Sequence, residues 1–188
     1  MSSDAGWDLA PVARWIQAAG LCLAVVPLGP PSASAAIPAT GEPVQDVVCR
    51  LIESAAQAEK LPASFLTRLI WQESSFRPGV ESSAGAQGIA QFMPGTARER
   101  GLSNPFDPAE AVPKAANLLA ELRTRFGNLG LAAAAYNAGP ARVDAWLAGH
   151  GTLPFETTNY VMSITRRSAE DWRASGAKAA ADPTPPET

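Results

Sequence analysis

The chain has 188 residues, a net charge of −3 and 46% apolar content, which allows one domain with a real core plus terminal extras. That charge argues against a nucleic-acid partner, which calls for a basic patch or stripe, and no stretch approaches the roughly 20 apolar residues of a membrane-spanning helix. The two cysteines, Cys22 and Cys49, form no CxxC pair, so a zinc or redox motif is not supported and no cofactor or metal is expected.

Behind Arg14 runs a short apolar core from Ile16 to Val26, followed by the small residues Ser32-Ala33-Ser34-Ala35-Ala36. Residues 1–36 therefore read as a secretion signal, with export to the periplasm as the consequence. Asp4 and Asp8 ahead of a single arginine depart from the usual pattern of such a signal, so an ordinary N-terminal helix, or a start further in, is the other reading. Leu21 before Cys22 speaks against a lipoprotein signal. Cleavage would remove Cys22 and leave Cys49 with no intramolecular partner.

Residues 37–43, with Pro38, Gly41 and Pro43, read as a linker into a domain spanning 44–173. From Val44 onward Val47, Val48, Leu51, Ile52 and Ala55 recur at helical spacing, with Cys49 as a small packed residue among them. Pro62 suits the first turn of a second helix, whose positions Phe65, Leu66, Leu69 and Ile70 share a side. Glu73 follows Leu69 by four residues and Ile70 by three, and so projects from that buried side. Ser74 to Gly88 is loop-like, Gly88 to Met93 a short helix or strand-like turn, and Pro94 can open another short helix. After the turn Asn104-Pro105-Phe106-Asp107-Pro108, a long helix shows a core face of Ala115, Leu118, Leu119, Leu122 and Phe126. Gly127 through Gly130 breaks it. Leu131 to Tyr136 is apolar nearly all round and reads as a central helix, its four alanines permitting close approach. A helix around Val143 and Trp146 follows, then a last one over roughly Thr157 to Trp172. Residues 174–188, rich in proline and alanine, read as a disordered tail. The fold class is mainly α: a compact helical domain with a cleft.

A carboxylate closing an apolar helix beside a glycine-punctuated loop is placed to act as a proton donor, because burial raises its pKa toward working pH. Glu73 is that carboxylate. Ser82 lies across the loop, where its hydroxyl can orient the carboxylate, and Gln91 offers an amide to a polar ligand. Tyr136 and Asn137 bring a phenol and a second amide from the end of the central helix. Glu156 precedes the last helix, as an N-terminal charge or as an acceptor within the site.

At these residues the chain resembles the soluble lytic transglycosylases of the lysozyme-like superfamily. One motif of that family stands at Glu73-Ser74-Ser75-Phe76, Pro78, Ser82, Gly85-Ala86-Gln87-Gly88, Gln91 and Met93-Pro94-Gly95-Thr96-Ala97. A second stands at Ala135 to Gly139 and a third at Glu156-Thr157-Thr158-Asn159-Tyr160-Val161. Ala90 and the pair Gly79-Val80 depart from the family pattern; altered packing is the expected consequence. The resemblance, over roughly residues 44–167, implies a lysozyme-like fold and non-hydrolytic cleavage of the β-1,4 bond between N-acetylmuramic acid and N-acetylglucosamine in peptidoglycan, leaving 1,6-anhydro ends. It implies Glu73 as sole acid and base, Ser82 positioning Glu73 or the substrate amide, Gln91 binding an N-acetyl or hydroxyl group, Tyr136 hydrogen-bonding at the reacting centre and Glu156 supporting the cleft wall. Met93, as a packed residue or as part of the cleft floor, and Asn137 are the other substrate-binding candidates.

Other residues have plainer readings. Phe76 is core, Glu81 solvated, His150 a surface turn residue, Trp146 and Trp172 packing residues, and Arg166 and Arg167 a solvated helix end. The expected partner is the glycan strand of peptidoglycan, met by a monomer. Secretion or conjugation machinery is a further expected partner, an inference from size and apparent lack of accessory domains, and general wall turnover is its rival. Two other functions stay open: a hydrolytic muramidase, and a non-catalytic wall-binding assembly component.

Overall fold

The computed structural model describes residues 43–175. The expected signal over 1–36, nearly all of the linker 37–43 and most of the tail 174–188 lie outside the described residues.

Eight helices follow in order among the described residues: α1 (Val44–Ala58), α2 (Ala63–Ser74), α3 (Pro94–Glu99), α4 (Pro108–Phe126), α5 (Leu129–Ala138), α6 (Pro140–Leu147), α7 (Phe155–Thr165) and α8 (Ala169–Ala174). No strand is present among them; isolated bridges join Glu81 to Gln87 and Gln87 to Phe92 in the loop after α2. The architecture is a lysozyme-like helical domain, as the sequence predicts.

α5 is the hub, packing against α4, α6, α7 and α8, while α1 lies on α2 and α4, and α2 lies on α7. Every residue of α5 except Tyr136 and Asn137 is buried. Only small side chains allow so many neighbours around one helix, and Ala132 to Ala135 provide them. Gly130 takes this furthest: a Cβ there would stand 2.0 Å from Cγ of Trp172. Gly130 therefore belongs to α5 and admits Trp172, whereas the sequence reading made it part of a helix break. The break itself is made by Gly127, whose φ of +84° ends α4, and by Asn128. Asn128 caps α5 by accepting from the Leu131 N–H at 2.8 Å and donates through Nδ2 to the Trp172 carbonyl at 3.2 Å.

α4 starts as its sequence demands, with Asp107 accepting from the Ala109 N–H at 2.9 Å and Pro108 in the first turn. Its expected core face, Ala115, Leu118, Leu119, Leu122 and Phe126, is buried. Two further expectations need correction. The last predicted helix is two: α7 stops at Arg166, whose φ is +59°, and α8 restarts after the cap Ser168. Cys49 is exposed, because the buried stripe of α1 is Val48, Ile52, Ala55 and Ala56, which leaves the next position facing solvent.

Candidate active site

Glu73 stands in the last turn of α2, on the side that Phe65, Leu66, Leu69 and Ile70 bury. Its carboxyl is partly buried and meets α7, where Tyr160, itself buried, donates its phenolic hydrogen bond to Glu73 Oε1. Arg68, further back on α2, donates through Nε to the Ile164 carbonyl at 2.5 Å. The two contacts run in opposite order along the helices, so α2 and α7 are antiparallel. Burial pushes the Glu73 carboxyl up to about 8; the Tyr160 bond opposes the rise and the Glu156 charge adds to it. At neutral pH the group is therefore mainly a carboxylic acid. Because Tyr160 donates to Oε1, the proton belongs on Oε2.

Glu156 lies in the first turn of α7, exposed, with its carboxyl raised by partial desolvation. Tyr136, at the end of α5, donates its hydroxyl to the Ala90 carbonyl at 2.8 Å and sets its ring edge-on to Phe92 at 6.4 Å. Burial first, then the nearby Glu73 charge, hold its phenol well above the usual range, against the pull of Arg100. It is a neutral phenol at any working pH. Asn137 is tied elsewhere: its Oδ1 accepts from the buried Thr157 hydroxyl at 2.7 Å, which fastens α5 to the base of α7.

The loop between α2 and α3 is folded on itself. Gln91, at φ +49°, donates through Nε2 to the Gly88 carbonyl at 2.8 Å and more weakly to Val80 at 3.4 Å. That leaves its Oε1 uncommitted. Gly88, at φ +75°, lies so close to the Asn104–Phe106 turn that a Cβ would fall 1.7 Å from the Pro105 carbonyl oxygen. Ser82 Oγ accepts from the Ala86 N–H at 3.0 Å, closing a tight turn. Its predicted place beside the Glu73 carboxylate is taken by Tyr160. Met93 ends the loop at the start of α3, where Gln91, Met93 and Tyr136 together border a small pocket.

The structure thus brings together Glu73, Tyr136 and Glu156 by mutual electrostatic influence, and Gln91, Met93 and Tyr136 around one pocket. Tyr160 is the residue that sequence reasoning passed over as a site member. The signal was available: it stands in the third motif, one helical turn beyond Glu156.

Fold and site together define a helical, lysozyme-like domain that carries a protonated glutamic acid where α2 meets α7. The family model for the transglycosylase SLT domain matches residues 50–159, more than half of the chain, and the chain belongs to that family. It is 32% identical over 136 residues to the soluble lytic murein transglycosylase of Escherichia coli K12, covering 61% of this chain and 21% of the relative. Among solved structures, the 70 kDa soluble lytic transglycosylase of Escherichia coli superposes with a TM-score of 0.57 at 30% identity, covering 67% of this chain and 24% of that one. An inactive glutamate-to-glutamine form of the lytic transglycosylase Slt from Pseudomonas aeruginosa gives 0.57 at 29% identity, with the same coverage of 67% and 24%. The chain thus spans about a fifth to a quarter of the length of these relatives.

Proposed function

We propose that this protein is a peptidoglycan lytic transglycosylase, cleaving the β-1,4 bond between N-acetylmuramic acid and N-acetylglucosamine and leaving a 1,6-anhydro end. The observation that carries the reading is the Glu73 carboxyl, raised to about 8 and held by Tyr160. Its proton passes to the glycosidic oxygen as that bond breaks, and the leaving sugar departs as an alcohol. The Tyr160 hydrogen bond then strengthens onto the new carboxylate. The carboxylate takes the proton of the muramyl C6 hydroxyl, whose oxygen closes on C1, so the acid is regenerated and no water is consumed. Charge developing on the sugar is met by the 2-acetamido group or by dipoles of the site. Gln91, Met93, Tyr136 and Glu156 serve as the substrate contacts of this cleft, Ser82 and Asn137 as its flanks. The relatives' name, and the glutamate-to-glutamine change in the inactive Pseudomonas form, support assigning this activity and a glutamate to it.

Glu156 supports a second reading. Paired carboxylates are the mark of most hydrolytic glycosidases, and Glu156 couples to Glu73, so it can activate water in a muramidase. Mass spectrometry of digested sacculi separates the two: anhydro-muramyl ends are expected, and reducing ends in their place would refute the transglycosylase. Zymography with Glu73→Gln completes the test. A loss of about 10²–10⁴-fold is expected; full retention of lysis would show that Glu73 is not the acid, whereas a biological role left intact by Glu73→Gln would favour a non-catalytic wall-binding component.

A wall substrate places the protein in the periplasm, to which the apolar N-terminal segment would direct it; the described residues include no helix long and apolar enough to cross a membrane. Fractionation of cells checks this. Service to a secretion or conjugation machine predicts that deletion abolishes transfer while bulk wall turnover persists.

A further inference from the structure

Two guanidinium groups meet where α2 lies against the last turn of α7, and the chemistry above uses neither. Arg68, half-buried on α2, commits its Nε to the Ile164 carbonyl at 2.5 Å. The chain then turns at Arg166, which is exposed and at φ +59°. Burial, and then the Arg166 charge, hold the Arg68 guanidinium below its usual range. Among the described residues neither arginine pairs with a carboxylate. The carbonyls that close α7 offset part of this charge and leave the rest without a counter-ion. The pair is joined to the active site by the seam between the two helices, tied by Tyr160 on Glu73 at one end and by Arg68 on Ile164 at the other. Glu156 stands one turn before Tyr160 and Gln72 one turn after Arg68, so exposed polar groups edge this seam on both sides. From Glu73 to Arg68 the step is about 7.5 Å along α2.

We propose that this seam takes the peptide stem of the muramyl residue, and that Arg68 and Arg166 together hold a carboxylate of that stem. The muramyl 3-lactyl ether leads through one neutral residue to a second that bears a free carboxylate. A lactyl unit and two residues, at about 3.3–3.6 Å each, extend over roughly 10 Å, which covers the step from Glu73 to Arg68. The planar fork of a guanidinium suits a carboxylate, and the Ile164 bond uses only the Nε of Arg68, so its terminal N–H groups are free to donate. The proposal rests on the transglycosylase reading and adds to it a choice among strands by the stem they carry. Solvent at Arg166 keeps the contact moderate, so the preference for a charged stem is about ten-fold.

The stem carboxylate can be neutralised without touching the sugar. N-acetylmuramyl-alanyl-isoglutamate and its isoglutamine amide are titrated into Glu73→Gln, which binds without turnover. The carboxylate form should bind about ten-fold tighter, and added salt should narrow the gap. Introducing Arg166→Asn, a residue that accepts the left-handed conformation, should abolish the gap, and Arg166→Lys should restore it in part. In the active enzyme, Arg166→Asn should raise KM about ten-fold on stem-bearing strands and leave kcat and the pH–rate profile as they were. On strands stripped of their stems by an amidase it should change nothing, and thermal melts establish that each variant is folded. Equal binding of carboxylate and amide, a gap that survives Arg166→Asn, or an equal loss on both kinds of strand would overturn the assignment. A wild type that releases nothing from sacculi counts instead against the transglycosylase reading, and the binding comparison still decides the stem site.

Discussion

Replacing Glu73 by glutamine should stabilise the folded protein, and more so as pH rises. Glutamine reproduces the neutral acid in shape and still offers Oε1 to Tyr160. In the folded wild type the carboxyl is raised from 4.5 to about 8, chiefly by burial; in the unfolded chain it returns to the ordinary value. Between those values the folded state keeps a proton that the unfolded state has released. Wild-type stability therefore declines from about pH 4.5 upward and levels off above about pH 8. The full rise corresponds to about 5 kcal/mol. That is a ceiling, because the carboxyl keeps some solvent contact, and about 2–4 kcal/mol is the expected share. Urea unfolding of both proteins across this range isolates the group, since every other titration cancels in the difference. The gap should widen by that amount between about pH 5 and about pH 9 and then stay constant. A gap flat to within about 0.5 kcal/mol, or one that widens toward acid, would show an ordinary carboxylate at Glu73 and remove the physical basis for its role as proton donor.

Tyr160→Phe removes the hydrogen bond that opposes the Glu73 rise, so the alkaline limb of the pH–rate profile should move upward. The rate should drop by about 10- to 100-fold, the worth of one bond to a charged group. Glu156→Gln removes a charge that adds to the rise, and the same limb should move downward; steady-state rates across pH check both signs. Gly130→Ala drives a methyl into the Trp172 ring, 2.0 Å away, and should cost about 3 kcal/mol or more in a thermal melt. Gly95→Ala, in a helix with nothing within 4 Å of the added carbon, should be neutral or stabilising by up to about 1 kcal/mol.

Most helices were legible because apolar spacing speaks directly about burial. Leu118, Leu119, Leu122 and Phe126 could lie on no other face of α4, and the alanine run announced a helix with neighbours on every side. Where reading failed, the cause was an interaction between segments far apart in sequence. Gly130 looked like a breaker because its partner, Trp172, lies 42 residues on. Arg166 enters a left-handed conformation that no glycine marks, so α7 and α8 read as one helix. In the site, Glu73 could be picked out from its own helix. Its hydrogen-bond partner could not, since Ser82 is near in sequence and Tyr160 is near only once α2 and α7 run antiparallel.

That partnership makes the acid's pKa a property of packing and not of the motif around it. Glu73 comes from α2, Tyr160 from α7, and the Tyr136 phenol that shares their field comes from α5. Desolvation is the largest cause of the raised value, and it persists only while these helices stay closed. α7 is kept in place from α5 by the Thr157–Asn137 bond and from α2 by the Arg68–Ile164 bond, one toward each end. Loosening either would admit water to the carboxyl and lower its pKa, and the proton would be lost at neutral pH. The small side chains of α5 are therefore as much a part of the acid as the carboxyl itself, because they bring α7 close enough to exclude water from it.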